Sequence, residues 1–318
     1  MKINHKEVAV IGDGGGKRGC HSVGFLGGFI EHFRQPIFAD NEFYFQGCSV
    51  GSLNLAFVAQ SLEVKGLEKI WKDKIQTGKI KIFNKRTAVR LLRRRGRNAV
   101  FDNKDLLQLI KDYLNAEMLI RSPVYFDIAV TNERSGNRLE FFSNKGLSPA
   151  EYPTLFKKIA ASASLMGAFE PIELDSGLYS DGLNFDVERA LARGCKIIFI
   201  FHNNHIWLRP DILPEQMDFQ RRGRRMSNIA WAREMEFYLE LLLWRHPELE
   251  IAEHNCLPTP ILDIAKKMKR YGKANARLII VGPQKIVPNL NIAHCGNSDA
   301  TKAIDNGREA FEKIMKQI

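Results

Sequence analysis

The 318-residue sequence predicts an α/β fold: a three-layer arrangement with a mostly parallel central sheet and helices on both faces. Three observations carry this expectation. Short apolar runs of strand character alternate with longer helix-like stretches. Two strand-to-helix junctions are rich in glycine, as tight βα turns require. The chain is also long enough, and at 45% hydrophobic content apolar enough, to bury a large core as one α/β domain or two smaller ones.

The elements follow in chain order. Val8, Ala9, Val10 and Ile11 read as a buried strand (7–11) that runs into Asp13-Gly14-Gly15-Gly16-Lys17-Arg18-Gly19, and Val23, Phe25, Leu26, Phe29, Ile30 and Phe33 then form a helical run. A second strand (43–46) ends in Gly47-Cys48-Ser49-Val50-Gly51, after which residues 52–58 read as a helix. Strands at 124–131 and 138–143 flank Asn132-Glu133-Arg134-Ser135-Gly136-Asn137, a hairpin loop that makes part of the sheet antiparallel. A serine- and alanine-rich helical stretch (159–164) leads through Phe169-Glu170-Pro171 to Tyr179-Ser180-Asp181-Gly182, then a helix containing Val187, Ala190 and Leu191 and a strand at 196–201. Residues 1–205 are thus expected to form the core, and 206–318 a mainly helical extension packed on it. In that extension Met235–Trp244, apolar on nearly all faces, predicts a helix buried against the domain or a partner. Residues 277–282 predict a strand returned to the sheet, and Ala300–Ile318 a final helix.

The chemistry concentrates at the glycine junctions. Gly47-Cys48-Ser49-Val50-Gly51 is a G-x-S-x-G pentapeptide between a strand and a helix, an order that projects a serine hydroxyl from a sharp elbow at a helix N-terminus. The three consecutive glycines at 14–16 free the backbone to present successive N–H groups at a helix start, as an oxyanion needs. Gly14, Gly16 and Gly19 also fit G-x-G-x-x-G. A dinucleotide site, however, expects an acidic residue at the end of a second strand, whereas Glu31 lies inside the first helix and the second strand ends in the serine elbow. Lys17 is followed by Arg18 rather than Ser or Thr, which excludes a Walker loop. His202-x-x-His205 lacks a third ligand at helical spacing and reads as ordinary strand-end polar residues rather than a metal pair.

Taken together and in this order, the D-G-G-G-x-R-G block at 13–19, G-x-S-x-G at 47–51, the Ser/Ala-rich helix with Phe169-x-Pro171 and the Asp181-Gly182 element resemble the patatin-like phospholipases. The resemblance implies a catalytic Ser49–Asp181 dyad, with Ser49 as nucleophile and Asp181 as its general base. It also implies an oxyanion site made by Gly14, Gly15 and Gly16 with the N–H of Val50. Arg18, Gly19, Gly47, Gly51 and Gly182 support these motifs, and no metal or cofactor is implied. Arg18 has two roles open to it, pinning the glycine loop or meeting a substrate phosphate. Leu183 departs from the small residue usual after Asp-Gly, so the loop behind the base is expected to be shaped differently. A carboxylate with an ordinary pKa is a weak base toward a serine hydroxyl, and Asp181 is therefore expected to be buried.

The expected reaction is acyl transfer from a lipid ester to Ser49 and hydrolysis of the acyl-enzyme, of the phospholipase A or lysophospholipase type. A soluble esterase or thioesterase, and a catalytically silent scaffold that binds lipid or a partner, are the alternatives. The net charge is +11. Basic clusters at 85–97, 221–225 and 266–270 can meet an anionic membrane or form solvated helix faces; no recognition motif for nucleic acid accompanies them. The five cysteines are scattered and without C-x-x-C, which favours reduced thiols, and Cys48 reads as a packing residue. With no signal-peptide core and no long apolar run, the expected location is cytoplasmic, peripheral to the membrane.

Overall fold

The computed structural model describes residues 7–33, 43–77, 99, 101–135, 138–174, 177–203, 233–254, 262–263, 275–285, 287, 290, 295 and 298–317. Its centre is a sheet of nine strands: β1 Val8–Gly12, β2 Tyr44–Cys48, β3 Tyr125–Asn132, β4 Arg138–Ser143, β5 Ile172–Leu174, β6 Gly177–Asp181, β7 Ile197–Phe201, β8 Leu249–His254 and β9 Ala276–Val281. The spatial order is β5-β6-β3-β2-β1-β7-β9-β8, with β4 paired to β3. Strands β1, β2, β3, β7, β8 and β9 run parallel, while β4, β5 and β6 are antiparallel to their neighbours. The mostly parallel α/β fold expected from the sequence is the fold observed.

Helices cover both faces, and the pleat assigns the strand residues between them. Val8 and Val10 of β1 enter one core layer, together with Phe45, Phe199 and Phe201. Ala9 and Ile11 enter the other, with Ile198, Ile200 and Leu278. The first layer is capped by α1 Cys20–Phe33, α2 Val50–Ser61, α3 Lys65–Ile70, α4 Lys104–Tyr113, α5 Ala116–Arg121 and α6 Tyr152–Ser162, and by the last helix (α9) at Asp299–Met315. The second is capped by α7 Val187–Ala192 and by α8, residues 233–245.

The register explains how distant segments meet. Strand β4 occupies one edge of β3 from Asp127 to Asn132, so β2 and β6 must share the other. Cys48, the last residue of β2, lies opposite Ala129, and Asp181, the last residue of β6, lies opposite Val130. Consecutive residues of β3 therefore bring the two motif-bearing strand ends together from opposite directions.

The C-terminal residues are integral to the sheet and its cover. Strand β9 pairs in parallel with β7, and α9 packs on α1. Phe311 of α9 joins an aromatic cluster with Phe29 and Phe199, ring centroids 5.4 to 6.2 Å apart; burying each such ring contributes about 1.5–3 kcal/mol. Helix α8 departs from expectation. It buries Met235, Leu239, Leu242 and Leu243 but leaves Phe237 and Trp244 66% and 64% exposed, so it docks by one face rather than all round. Strands β5, β6 and β8 are not among the six expected from the sequence, although Asp181-Gly182 reads there as the end of an extended segment. Three residues are too few for a period to show in β5, and the sheet-edge strand β8 mixes Leu249 and Ile251 with charged neighbours.

Candidate active site

Ser49 occupies the turn between β2 and α2 with φ 54° and ψ −129°, a conformation rare for an L side chain. Its surroundings hold it there. The Ser49 N–H donates to Ser162 Oγ at 3.1 Å, and its carbonyl accepts from Ser52 Oγ at 2.6 Å and Ser52 N–H at 3.0 Å. The elbow can close because Gly47 and Gly51 lack side chains. A Cβ on Gly47 would stand 2.3 Å from Ser52 Cα, and one on Gly51 would stand 2.2 Å from the Gly12 carbonyl.

Asp181 lies beside this elbow and is 1% exposed. Its Oδ1 accepts from the Leu183 N–H at 2.9 Å, with Cys48 Sγ at 3.7 Å, while Oδ2 is buried without a bond of good geometry. Burial pushes its pKa up to about 6, partly offset by the neighbouring Ser49 hydroxyl and the Leu183 N–H, which favour the carboxylate. A buried carboxylate and a hydroxyl close together but loosely aligned are ordinary in a site without a bound ligand. Burial and the two nearby aspartates, Asp181 and Asp13, raise the Cys48 thiol well above its usual range, so it stays protonated.

Strand β1 delivers the glycine loop to the same place. Gly15 and Gly16 adopt φ 133° and 56°, conformations open to glycine. The N–H groups of Gly15, Gly16 and Val50 meet no acceptor among the described residues. Gly14 corrects the expectation for this loop: its N–H donates to Asp13 Oδ1 at 2.6 Å and is not free for an acyl oxygen. Its contribution is space, since a Cβ there would lie 3.2 Å from Ser49 Cβ. Gly19 similarly leaves room for Val50, and Gly182 for the Ala129 carbonyl. Lys17 and Arg18 are half-buried, and burial lowers both pKa values below their ordinary ranges.

From Ser49 opens an apolar cavity enclosing about 960 Å³ of space, its mouth included. Helices α2, α3 and α4 form its walls, and the one buried amide among the wall residues, Asn54, has all its polar atoms bonded within the protein.

A family model described as patatin-like phospholipase matches residues 12–190, which span every element of this site. The chain belongs to the patatin-like phospholipase family. Among solved structures it is similar to VipD from Legionella pneumophila at TM-score 0.49 and 11% identity, covering 98% of this chain and 67% of that one. It is also similar to the heterodimeric ExoU–SpcU complex of the Pseudomonas aeruginosa type III secretion system, at TM-score 0.37 and 14% identity over 83% and 58%. No curated protein gives a significant sequence match.

As a patatin-like phospholipase the protein is a hydrolase acting on ester bonds of lipids. Several of its site residues were not singled out in the sequence. Ser162 and Ser164 hold the elbow and the acid strand, the latter through its carbonyl, which accepts from the Asp181 N–H at 2.9 Å. His202 is the larger correction. It is 1% exposed rather than an ordinary strand-end residue, and its Nδ1 stands 2.6 Å from Asp13 Oδ2. Asn203 donates to the Asp13 carbonyl at 2.8 Å and accepts from the Ser22 N–H at 3.0 Å, so the end of β7 anchors the root of the glycine loop. Only its place directly after a strand neighbouring β1 could have marked this pair. His205 and the basic clusters at 85–97, 221–225 and 266–270 lie outside the described residues. No helix among the described residues is long and apolar enough to cross a membrane.

Proposed function

We propose that the protein cleaves lipid carboxylic esters by a Ser49–Asp181 dyad, as a phospholipase A or lysophospholipase. The observation that carries this reading is the buried Asp181 beside the strained Ser49, at the mouth of an apolar cavity. Asp181 accepts the Ser49 proton as the hydroxyl oxygen attacks the acyl carbonyl. The oxyanion rests against the N–H groups of Gly15, Gly16 and Val50, each such donor being worth about 3 kcal/mol. Asp181 then returns the proton to the leaving alcohol, and water, deprotonated by the same carboxylate, releases the acid. Because the carboxylate is the working form, turnover should rise with pH through about 6 and level off above it.

In this reading the enzyme meets its substrate in the cytoplasm at an anionic membrane surface, through the basic segments 85–97 and 221–225. Cosedimentation with vesicles of rising anionic content, at low and high salt, tests that contact; binding insensitive to both would refute it.

The chemical step is tested with Ser49→Ala and Asp181→Asn. Each should lower turnover of a phospholipid or lysophospholipid at least about a thousandfold, since the pair works as a unit. A fluorophosphonate should label Ser49 in the parent. Full activity in Ser49→Ala would overturn the assignment.

A further inference from the structure

The geometry points to Phe57 as the residue that sets how long an acyl chain the enzyme accepts, by closing the far end of a channel that begins at Ser49. The inference rests on the proposal that Ser49 receives the acyl group.

The direction of the channel is given by hydrogen bonds at its two ends. Helix α2 starts at the elbow, and α4 starts beside it, because Asn103 Oδ1 accepts from Ser164 Oγ at 2.9 Å and Ser164 flanks Asp181. At their other ends the same helices are tied together. Gln60 Nε2 donates to the Tyr113 carbonyl at 2.9 Å, and the Asn115 N–H donates to Gln60 Oε1 at 2.7 Å. The two helices therefore leave the site side by side. Helix α3 and the turn Trp71–Ile75 run back along α2: Gly66 meets the Phe57 ring at the far end, where a Cβ would lie 3.1 Å from Phe57 Cζ. Trp71 Nε1 reaches Asn54 Oδ1 at 3.0 Å midway.

The lining residues fall into depth order on this frame. Val50, Leu53, Asn54 and Phe57 face the cavity from α2 at helical spacing, which makes one continuous wall. On α4 the wall runs from Leu106 near the mouth to Tyr113 and Leu114 at the end. Past Phe57 the α2 residues belong to the core or to the Gln60 tie, so Phe57, Leu67 and Tyr113 form the floor. Phe57 lies eight residues beyond Ser49, a depth of about 12 Å at about 1.5 Å per residue. An extended hydrocarbon advances about 1.25 Å per carbon from C–C bonds of about 1.5 Å. The straight channel therefore holds about eight to ten carbons beyond the ester carbonyl. Its occupant is an apolar chain, because every polar atom of the Asn54 side chain in the wall is already bonded.

The test measures a chain-length profile twice. Turnover of p-nitrophenyl esters from four to eighteen carbons is followed in the parent, Phe57→Ala and Phe57→Trp. Binding of free saturated fatty acids below their critical micelle concentrations is followed by calorimetry in Ser49→Ala, alone and combined with each Phe57 substitution. Affinity should rise about fourfold per added carbon up to about ten and then stop rising. The break should move about four carbons longer in Phe57→Ala and at least two carbons shorter in Phe57→Trp, opposite shifts that general loosening of the fold does not produce. A profile that rises without a break to eighteen carbons, or that stays put in both variants, overturns the inference even if hydrolysis is intact. Shifting breaks in fatty-acid binding without any ester turnover would uphold the channel and overturn the hydrolase mechanism instead.

Discussion

Ser49 is held at φ 54° by bonds to Ser162 and Ser52, and such a conformation costs a non-glycine residue about 1–3 kcal/mol. Ser49→Gly should therefore raise stability by about 1 kcal/mol, read as a higher midpoint in urea, while abolishing turnover. A lower midpoint would mean that the hydroxyl contributes more to folding than the strain costs. Asp181 carries a second tension between stability and chemistry. Its folded pKa, about 6, lies above the ordinary carboxylate value of 3.8, so between those pH values the native state binds more protons than the unfolded one. Stability from this group is thus lost as pH rises from about 4 through 6. Asp181→Asn, which keeps an oxygen for the Leu183 N–H, should match the parent near pH 3.5 and exceed it at pH 8 by an amount on the order of 2–3 kcal/mol. Melting curves of both proteins across pH 3.5–8 decide this, and parallel curves would remove the case for a desolvated base. Leu183, which takes φ 57° to make that bond, shows how a bulky residue fits after Asp-Gly: its side chain turns outward and is 45% exposed.

At the scale of elements, the contact between α1 and α9 is the closest helix pair around the site. A Cβ on Gly24 would stand 2.0 Å from the Ile304 carbonyl, and one on Gly307 would stand 2.2 Å from the His21 carbonyl. Backbone cannot yield as a side-chain tip can, so Gly307→Ala should push α9 away from α1. We expect a destabilisation of about 1–3 kcal/mol or more, seen in urea unfolding. Turnover of the fraction still folded should fall too, since α1 begins where the glycine loop ends. An alanine variant as stable as the parent would mean that the helices separate freely. The glycine spacing in α1 was visible in the sequence, but its meaning was not. The partner, Gly307, lies more than 270 residues away, and nothing local distinguishes a packing glycine from a weak helix position.

For the whole molecule, the sheet runs from the N-terminal motifs through β7 to β9 without a break, and α9 completes the core over α1. We propose that the residues after 205 fold with the core rather than apart from it. A chain ending at 205 would expose the β7 edge together with Phe25 and Phe29, an aggregation-prone surface. It should be insoluble or unfolded, and the full chain should unfold in one transition that tryptophan fluorescence and far-ultraviolet dichroism trace alike. A soluble, cooperatively folding 1–205 fragment would refute this.

The sequence by itself determined the fold class, the order of the principal strands and the two glycine junctions, because a buried strand, a tight turn and an amphipathic helix are each written in local periodicity and local backbone freedom. It also placed Ser49 and Asp181 in motifs. Tertiary structure alone decided that the two motifs meet, through the register of β2 and β6 on one edge of β3; that His202 and Asn203 brace the glycine loop; and that α2 and α4, tied through Gln60 and Tyr113, wall a single cavity. Each of these is a pairing between residues distant along the chain, and strand register and helix docking are set by the packing of the whole core, which no local pattern encodes.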